Sequence, residues 1–194
     1  MCIRDRFYTD LISWGAIGAR TAESQIHREL ASGLSMPVGI KNRTDGDIQV
    51  AVDAINAARH SHLFPSLTKE GAPAILETGG NPDCHLVLRG GQKPNYDAES
   101  VDAAVAILED NGLPGYVMVD CSHANSKKDP GRQAEIAKTA IQHDAVRALM
   151  IESHLVGGRQ DWGKSLTYGQ SITDGCLGFD DTARLLQDLA SSRS

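Results

Sequence analysis

The sequence predicts an α/β protein built on a parallel sheet. Three observations lead there. Five short apolar segments recur along the chain, amphipathic stretches separate them, and the alternation is broken only once.

The strand-like segments are Gly15–Ala19, Pro37–Lys41, His85–Arg89, Tyr116–Asp120 and Ala148–Glu152. Helical spacing appears between and after them. Ile26, Leu30 and Leu34 recur every four residues, and Ile48, Val52 and Ile55 mark a second apolar stripe. Val101, Val105 and Leu108 form a third, closed by Asn111-Gly112, a helix-terminating pair. Ile136, Ala140 and Ile141 form a fourth, and Leu185, Leu186 and Leu189 a fifth. The interruption is His62–Thr68 and Ala74–Thr78, which read as a hairpin about Lys69-Glu70-Gly71, inserted after the second helix. It serves either partner or regulatory contacts, or is surface decoration.

Chemistry gathers where the strands end. Arg20, Lys41 and Arg89 follow the first three strands, His123 follows the fourth, and Glu152 ends the fifth. In a (β/α)₈ barrel such residues converge around one site, whereas a doubly wound sheet spreads them along a crevice. Thr21 is a candidate N-cap for the Ile26 helix, whose free N–H groups would suit a phosphate beside Arg20. Arg offers a planar fork and Lys a compact charge, both fit for phosphate or carboxylate. A single strand-end cation could equally make a surface salt bridge, but three at equivalent positions point to a site. An imidazole with a carboxylate, and Asp174 from a later loop, fits a borderline divalent ion, Mn, Fe, Co or Zn. On spacing alone, hydrogen-bonded non-ligands fit as well. Cys121 shares the His123 face only if the strand runs that far, and a buried free Cys usually just packs. The other histidines read as surface or structural residues.

Composition narrows the class. The chain has 194 residues, 41% hydrophobic and 23% charged, as in a globular domain. The net charge of −6, dispersed Lys and Arg, and only 5% aromatic residues argue against nucleic-acid or anionic-membrane binding. Cys2, Cys84, Cys121 and Cys176 form no CxxC pair, so a reducing, cytoplasmic setting is expected. Residues 1–6 read as a non-native leader, with a genuine mobile terminus as the alternative.

Longer strings go further. Ser13 to Thr21 followed by Glu23-Ser24-Gln25, then Gly39-Ile40-Lys41-Asn42 with Thr44-Asp45-Gly46, and Leu88-Arg89-Gly90-Gly91 resemble the phosphoenolpyruvate-binding segments of class I 3-deoxy-D-arabino-heptulosonate-7-phosphate (DAHP) synthases. Asp120 to Ser126, Glu152-Ser153-His154-Leu155 and Ser171-Ile172-Thr173-Asp174 resemble that family's metal-binding segments. The resemblance runs from about Phe7 to the C-terminus.

It implies a TIM barrel, here incomplete, with residues 7–194 supplying about the last five strand–helix units. It implies that Arg20, Lys41 and Arg89, with the backbone of Ala19, hold phosphoenolpyruvate. His123, Glu152 and Asp174 would be three of four ligands to one divalent metal, Asp174 also contacting substrate. Lys41 and His123 are the residues expected to act in catalysis. The implied reaction condenses phosphoenolpyruvate with erythrose 4-phosphate and releases inorganic phosphate, opening the shikimate pathway. An aromatic amino acid effector and a homo-oligomer are also implied.

In the family the remaining metal ligand is a Cys on an earlier strand, so the chain alone is expected to be inactive. Two other readings stand beside this one. One is a non-catalytic binding or assembly module derived from the barrel. The other is the related 3-deoxy-octulosonate 8-phosphate synthase, against which the Gly-Ala-Arg-Thr and Lys-Asn-Arg-Thr-Asp-Gly strings argue.

Overall fold

The structure is a computed structural model that describes Thr9, residues 11–163 and residues 165–192. The leader expected over residues 1–6 lies outside the described residues. Two compact units divide the chain, one from residues 1–87 and 107–114, the other from 88–106 and 115–194. Among the described residues no helix is long and apolar enough to cross a membrane.

The first unit holds β1 (Gly15–Ile17), α1 (Gln25–Ser32), β2 (Val38–Lys41), α2 (Gln49–Ala58) and the hairpin β3 (Leu63–Leu67) with β4 (Pro73–Glu77). It also holds nearly all of β5 (Cys84–Leu88). β1, β2 and β5 pair in parallel, with Gly15 opposite Val38 and Val38 opposite Cys84. Val38, Gly39 and Ile40 are all buried, as expected of a parallel strand covered on both faces. Ala51, Ala54 and Ala58 are fully buried along one side of α2, which packs against α1 and β2. Small side chains there allow close approach.

Gly39 is the tightest point of this sheet. A Cβ there would lie 2.6 Å from Trp14 Cζ2, 2.7 Å from Val87 Cγ2 and 3.2 Å from His85 Nε2. The Trp14 indole N–H donates to His85 Nε2 at 3.2 Å, while His85 Nδ1 faces the Asp83 carbonyl at 3.2 Å. That pairing requires the neutral ring with its proton on Nδ1, and burial lowers the His85 pKa in the same sense.

The hairpin is antiparallel, with Pro65 opposite Ile75, and its residues alternate between exposed and half-buried. Gly71 takes φ +84° in the turn, a conformation that suits glycine.

The second unit holds most of α3 (Ala98–Asp110), then β6 (Val117–Asp120), α4 (Gln133–Ala140), β7 (Val146–Met150), β8 (Val156–Arg159), β9 (Gln170–Ser171) and α5 (Phe179–Ser192). β6 and β7 are parallel, with Val119 opposite Leu149. Val117, Val119, Ile136, Ala137, Ala140 and Val146 are buried. The last turn of α3 groups with the first unit and ends as its sequence predicts. Gly112 takes φ +70°, and Leu113 N–H donates to the Leu108 carbonyl at 2.9 Å, closing a Schellman-type cap.

Several expectations need correction. Thr21 is not the N-cap of α1. Ser24 holds that position, and the Thr21 hydroxyl instead donates to the Gly18 carbonyl within a turn. Ile26 is 63% exposed and Leu34 lies beyond the helix, so Leu30 and Ala31 carry its buried face. Leu186 is exposed although Leu185 beside it is buried. β1 stops at Ile17 and β7 at Met150, short of the predicted ends. β8 and β9, a parallel two-stranded pair, were not foreseen, because their Gly- and Gln-rich segments show no alternation.

Gly39→Ala is expected to destabilise the protein by about 1–3 kcal/mol through overpacking. Gly18→Ala meets only Thr21 Oγ1 at 3.7 Å and is expected to stay within about 0.5 kcal/mol of the parent. Urea unfolding of both variants checks the contrast.

Candidate active site

His123, Glu152 and Asp174 come together in the second unit. The His123 Nε2 atom lies 3.9 Å from Glu152 Oε1 and 3.9 Å from Asp174 Oδ2. One donor atom from each residue falls within 4.8 Å of the others. Two donors on one ion, each about 2.1 Å away, can be at most about 4.2 Å apart. The two histidine pairs therefore already span a divalent ion, and small side-chain rotations complete the set. One nitrogen and two carboxylate oxygens suit a borderline divalent metal.

His123 is aimed by local constraints. β6 ends at Asp120, whose carboxylate is fully buried and accepts from Ser122 N–H at 2.9 Å. The other oxygen, Oδ2, lies 2.8 Å from His123 Nδ1, without the alignment of a hydrogen bond. A carboxylate against one ring nitrogen leaves the opposite nitrogen to face a ligand, as is usual for metal-binding histidines. His123 itself takes φ +46°, unusual for a residue with a side chain. Asn125, fully buried, holds the turn that follows. Its Nδ2 donates to the Leu88 and Asp120 carbonyls at 3.1 and 2.8 Å, and its Oδ1 accepts from Asn95 N–H at 2.8 Å.

Glu152 and Asp174 sit beyond strand ends, two residues past β7 and three past β9. Both are partly exposed, so their charges need no buried counterion. Leu177 N–H donates to the Glu152 carbonyl at 2.9 Å, linking the loop that carries Asp174 to Glu152. The Asp120–His123 geometry, in contrast, gives Cys121 no place in the cluster. Its strand has already ended, its side chain is buried, and its thiol points to the Val119 carbonyl at 3.8 Å.

The predicted cations fall in both units. In the first, Lys41 is the last residue of β2 and is half-buried. Arg20 is exposed in the turn three residues after β1, next to half-buried Ala19. Neighbouring Arg43 is engaged by Glu23 at 2.9 Å and by Asp45, which raise its pKa further. In the second unit, Arg89 follows β5 and is buried, with Nη1 3.4 Å from the Gly90 carbonyl. Gly90 at φ +76° packs its Cα against the Ala124–Asn125 backbone, where a Cβ would come within 2.8 Å of Asn125 N.

In α/β proteins, sites gather beyond the carboxyl ends of parallel strands, where these side chains lie. The chain belongs to the DAHP synthetase I family, whose profile matches residues 3–187. It is similar to the Phe-sensitive phospho-2-dehydro-3-deoxyheptonate aldolase of Escherichia coli (strain K12), with 53% identity over 98% of this chain and 56% of that protein. The Trp-sensitive enzyme of the same strain is 51% identical over 98% of this chain and 57% of its own length. The solved structure of phospho-2-dehydro-3-deoxyheptonate aldolase from Francisella tularensis SCHU S4 superposes with a TM-score of 0.90 at 49% identity. It covers 94% of this chain and 55% of that one. The chain thus spans about half the length of the relatives it matches.

Burial pushes the thiols of Cys84 and Cys121 up to about 12, so neither forms a thiolate at pH 8. Both are expected to resist iodoacetamide at pH 8 in the folded protein and to label on unfolding. Peptide mass spectrometry checks this, and equal labelling in both states would contradict the packing.

Proposed function

We propose that this chain carries the metal site and the phosphoenolpyruvate contacts of a DAHP synthase. The reaction joins phosphoenolpyruvate to erythrose 4-phosphate with loss of inorganic phosphate. The chain would contribute about the last five strand–helix units of a (β/α)₈ barrel. The observation that carries the reading is the gathering of His123, Glu152 and Asp174 around one ion-sized space. His123 and Glu152 are strand-end residues of the sequence reading, and Asp174 is its candidate from the later loop.

His123 has Asp120 beside its Nδ1 and its Nε2 toward Glu152 and Asp174, which would supply two anionic oxygens. His123, Glu152 and Asp174 would hold a divalent ion of the Mn, Fe, Co or Zn class, which, directly or through bound water, would supply Lewis-acid activation of the erythrose 4-phosphate aldehyde. Arg20 and Arg89 offer paired N–H donors to the phosphate and carboxylate of phosphoenolpyruvate. Lys41 would add a point charge, with the Ala19 backbone assisting. Such groups are of the kind that orients phosphoenolpyruvate and offsets the charge that develops as its phosphate leaves. The Phe- and Trp-sensitive relatives support an aromatic amino acid as effector.

The decisive experiment is a chimera in which this chain replaces the matching segment of the Phe-sensitive Escherichia coli relative. DAHP formation is expected, and it should be lost on His123→Ala or on treatment with a chelator. Arg89→Ala is expected to raise the KM for phosphoenolpyruvate at least about tenfold, the scale of one charge-assisted hydrogen bond. By itself the chain is expected to show no sustained turnover. An active chimera indifferent to His123→Ala would overturn the metal assignment.

A further inference from the structure

Backbone hydrogen bonding changes hands where β7 ends. Cys121 N–H donates to the Met150 carbonyl at 2.8 Å, and Met150 is the last residue of β7 paired with β6. Two residues on, Glu152 needs other partners for its N–H and carbonyl, and each buried backbone group left unpaired costs about 1–3 kcal/mol.

Those partners come largely from one side chain. Gln133, the first residue of α4, is fully buried. Its Oε1 accepts from Glu152 N–H at 2.8 Å, and its Nε2 donates to the Glu152 carbonyl at 3.1 Å. The amide therefore binds both backbone groups of one residue, as an adjacent strand would. Only one orientation of the amide satisfies both bonds, because one end must accept and the other donate. The second lone pair of the Glu152 carbonyl takes Leu177 N–H at 2.9 Å. Glu152 is thus held at its backbone from two sides, while its carboxylate stays free to turn toward His123.

We infer that Gln133 is a positioning residue for the metal-facing carboxylate of Glu152. This rests on the proposed metal site. Rotation of the Glu152 peptide moves its Cβ, and with it the carboxylate, away from the His123 Nε2 that it faces at 3.9 Å. Gln133 prevents that rotation. Both ends of its amide are taken by the Glu152 backbone, so its effect passes through Glu152. The side chain is uncharged, so the effect involves no titration of its own. Partners that orient metal ligands commonly contribute 10- to 100-fold in affinity.

The test measures Co(II) affinity by competition with a fluorescent chelator on the intact chain. Four proteins are compared: parent, Gln133→Met, Glu152→Ala and the double variant. Met keeps the unbranched length of Gln and removes both hydrogen bonds. We expect Gln133→Met to weaken Co(II) binding about tenfold in the parent, and to cause no further weakening in the Glu152→Ala background. Equal weakening in both backgrounds indicates a general packing role and overturns the inference. So does unchanged affinity in Gln133→Met when Glu152→Ala binds Co(II) poorly. If Glu152→Ala itself binds Co(II) as tightly as the parent, the metal-site reading fails, and the inference with it.

A second readout does not depend on the Gln133 variant folding. In the ¹⁵N-labelled parent, Zn(II) should shift the Gln133 side-chain NH₂ resonances, and this shift should vanish in Glu152→Ala. Unmoved Gln133 resonances alongside shifted His123 signals would count against the proposal.

Discussion

Parallel strands that stop inside a protein leave their last carbonyls and amides without a ladder, and those groups cannot be abandoned in a dry interior. Much of this structure follows from how that need is met. In the first unit the same need arises off the strands, where Asn81, almost wholly buried, donates to the Ala31 carbonyl of α1 and the Met36 carbonyl before β2, at 3.1 and 2.9 Å. In the second, Asn125 serves the Leu88 and Asp120 carbonyls, and Gln133 serves both backbone groups of Glu152. The amides of Asn125 and Gln133 stand in for a missing strand. Because chemistry in α/β proteins gathers beyond strand ends, the same amides also set the site.

The second unit shows how closely the two tasks coincide. Asp120 closes β6, accepts the backbone of Ser122 and faces His123 Nδ1. Asn125 binds the Asp120 carbonyl and the end of β5. Packing Gly90 against the Asn125 backbone leaves no room for a Cβ there. A change at any of these positions affects both the fold and the placement of His123. Buried polar networks of this kind must be fully satisfied, because low dielectric raises the cost of each unmade bond.

The first unit meets a different constraint. Gly39 is held among Trp14, Val87 and His85, and the indole–imidazole bond there needs a neutral His85. Lys41 lies two residues further along the same strand, so it shares the Gly39 face of the sheet. Packing around Gly39 therefore bears on the position of Lys41.

Much of the architecture was legible from residue order. Apolar runs bounded by polar strand ends mark β1, β2, β5, β6 and β7. Of these, β2, β5 and β6 are mostly buried, as strands covered on both faces should be, whereas Ala16 in β1 and Arg147 in β7 are exposed. Asn111-Gly112 ends α3 since a left-handed turn favours glycine, and Lys69-Glu70-Gly71 turns the hairpin for a related reason. Arg20, Lys41, Arg89, His123 and Glu152 stand out because charged or titratable groups rarely follow apolar runs without a purpose. Tertiary structure alone decided the rest. Ile26 belongs to an apolar stripe by spacing yet faces solvent, because local periodicity does not report what the neighbouring elements cover. Ser24 rather than Thr21 caps α1, since the chain turns once more after β1 before the helix starts. Gln133 looks like any polar residue at a helix start, and only its burial against Glu152, nineteen residues away, reveals its place. Hydrogen bonds between residues distant in sequence leave no local pattern, so the groups that aim the site become visible only in the folded chain.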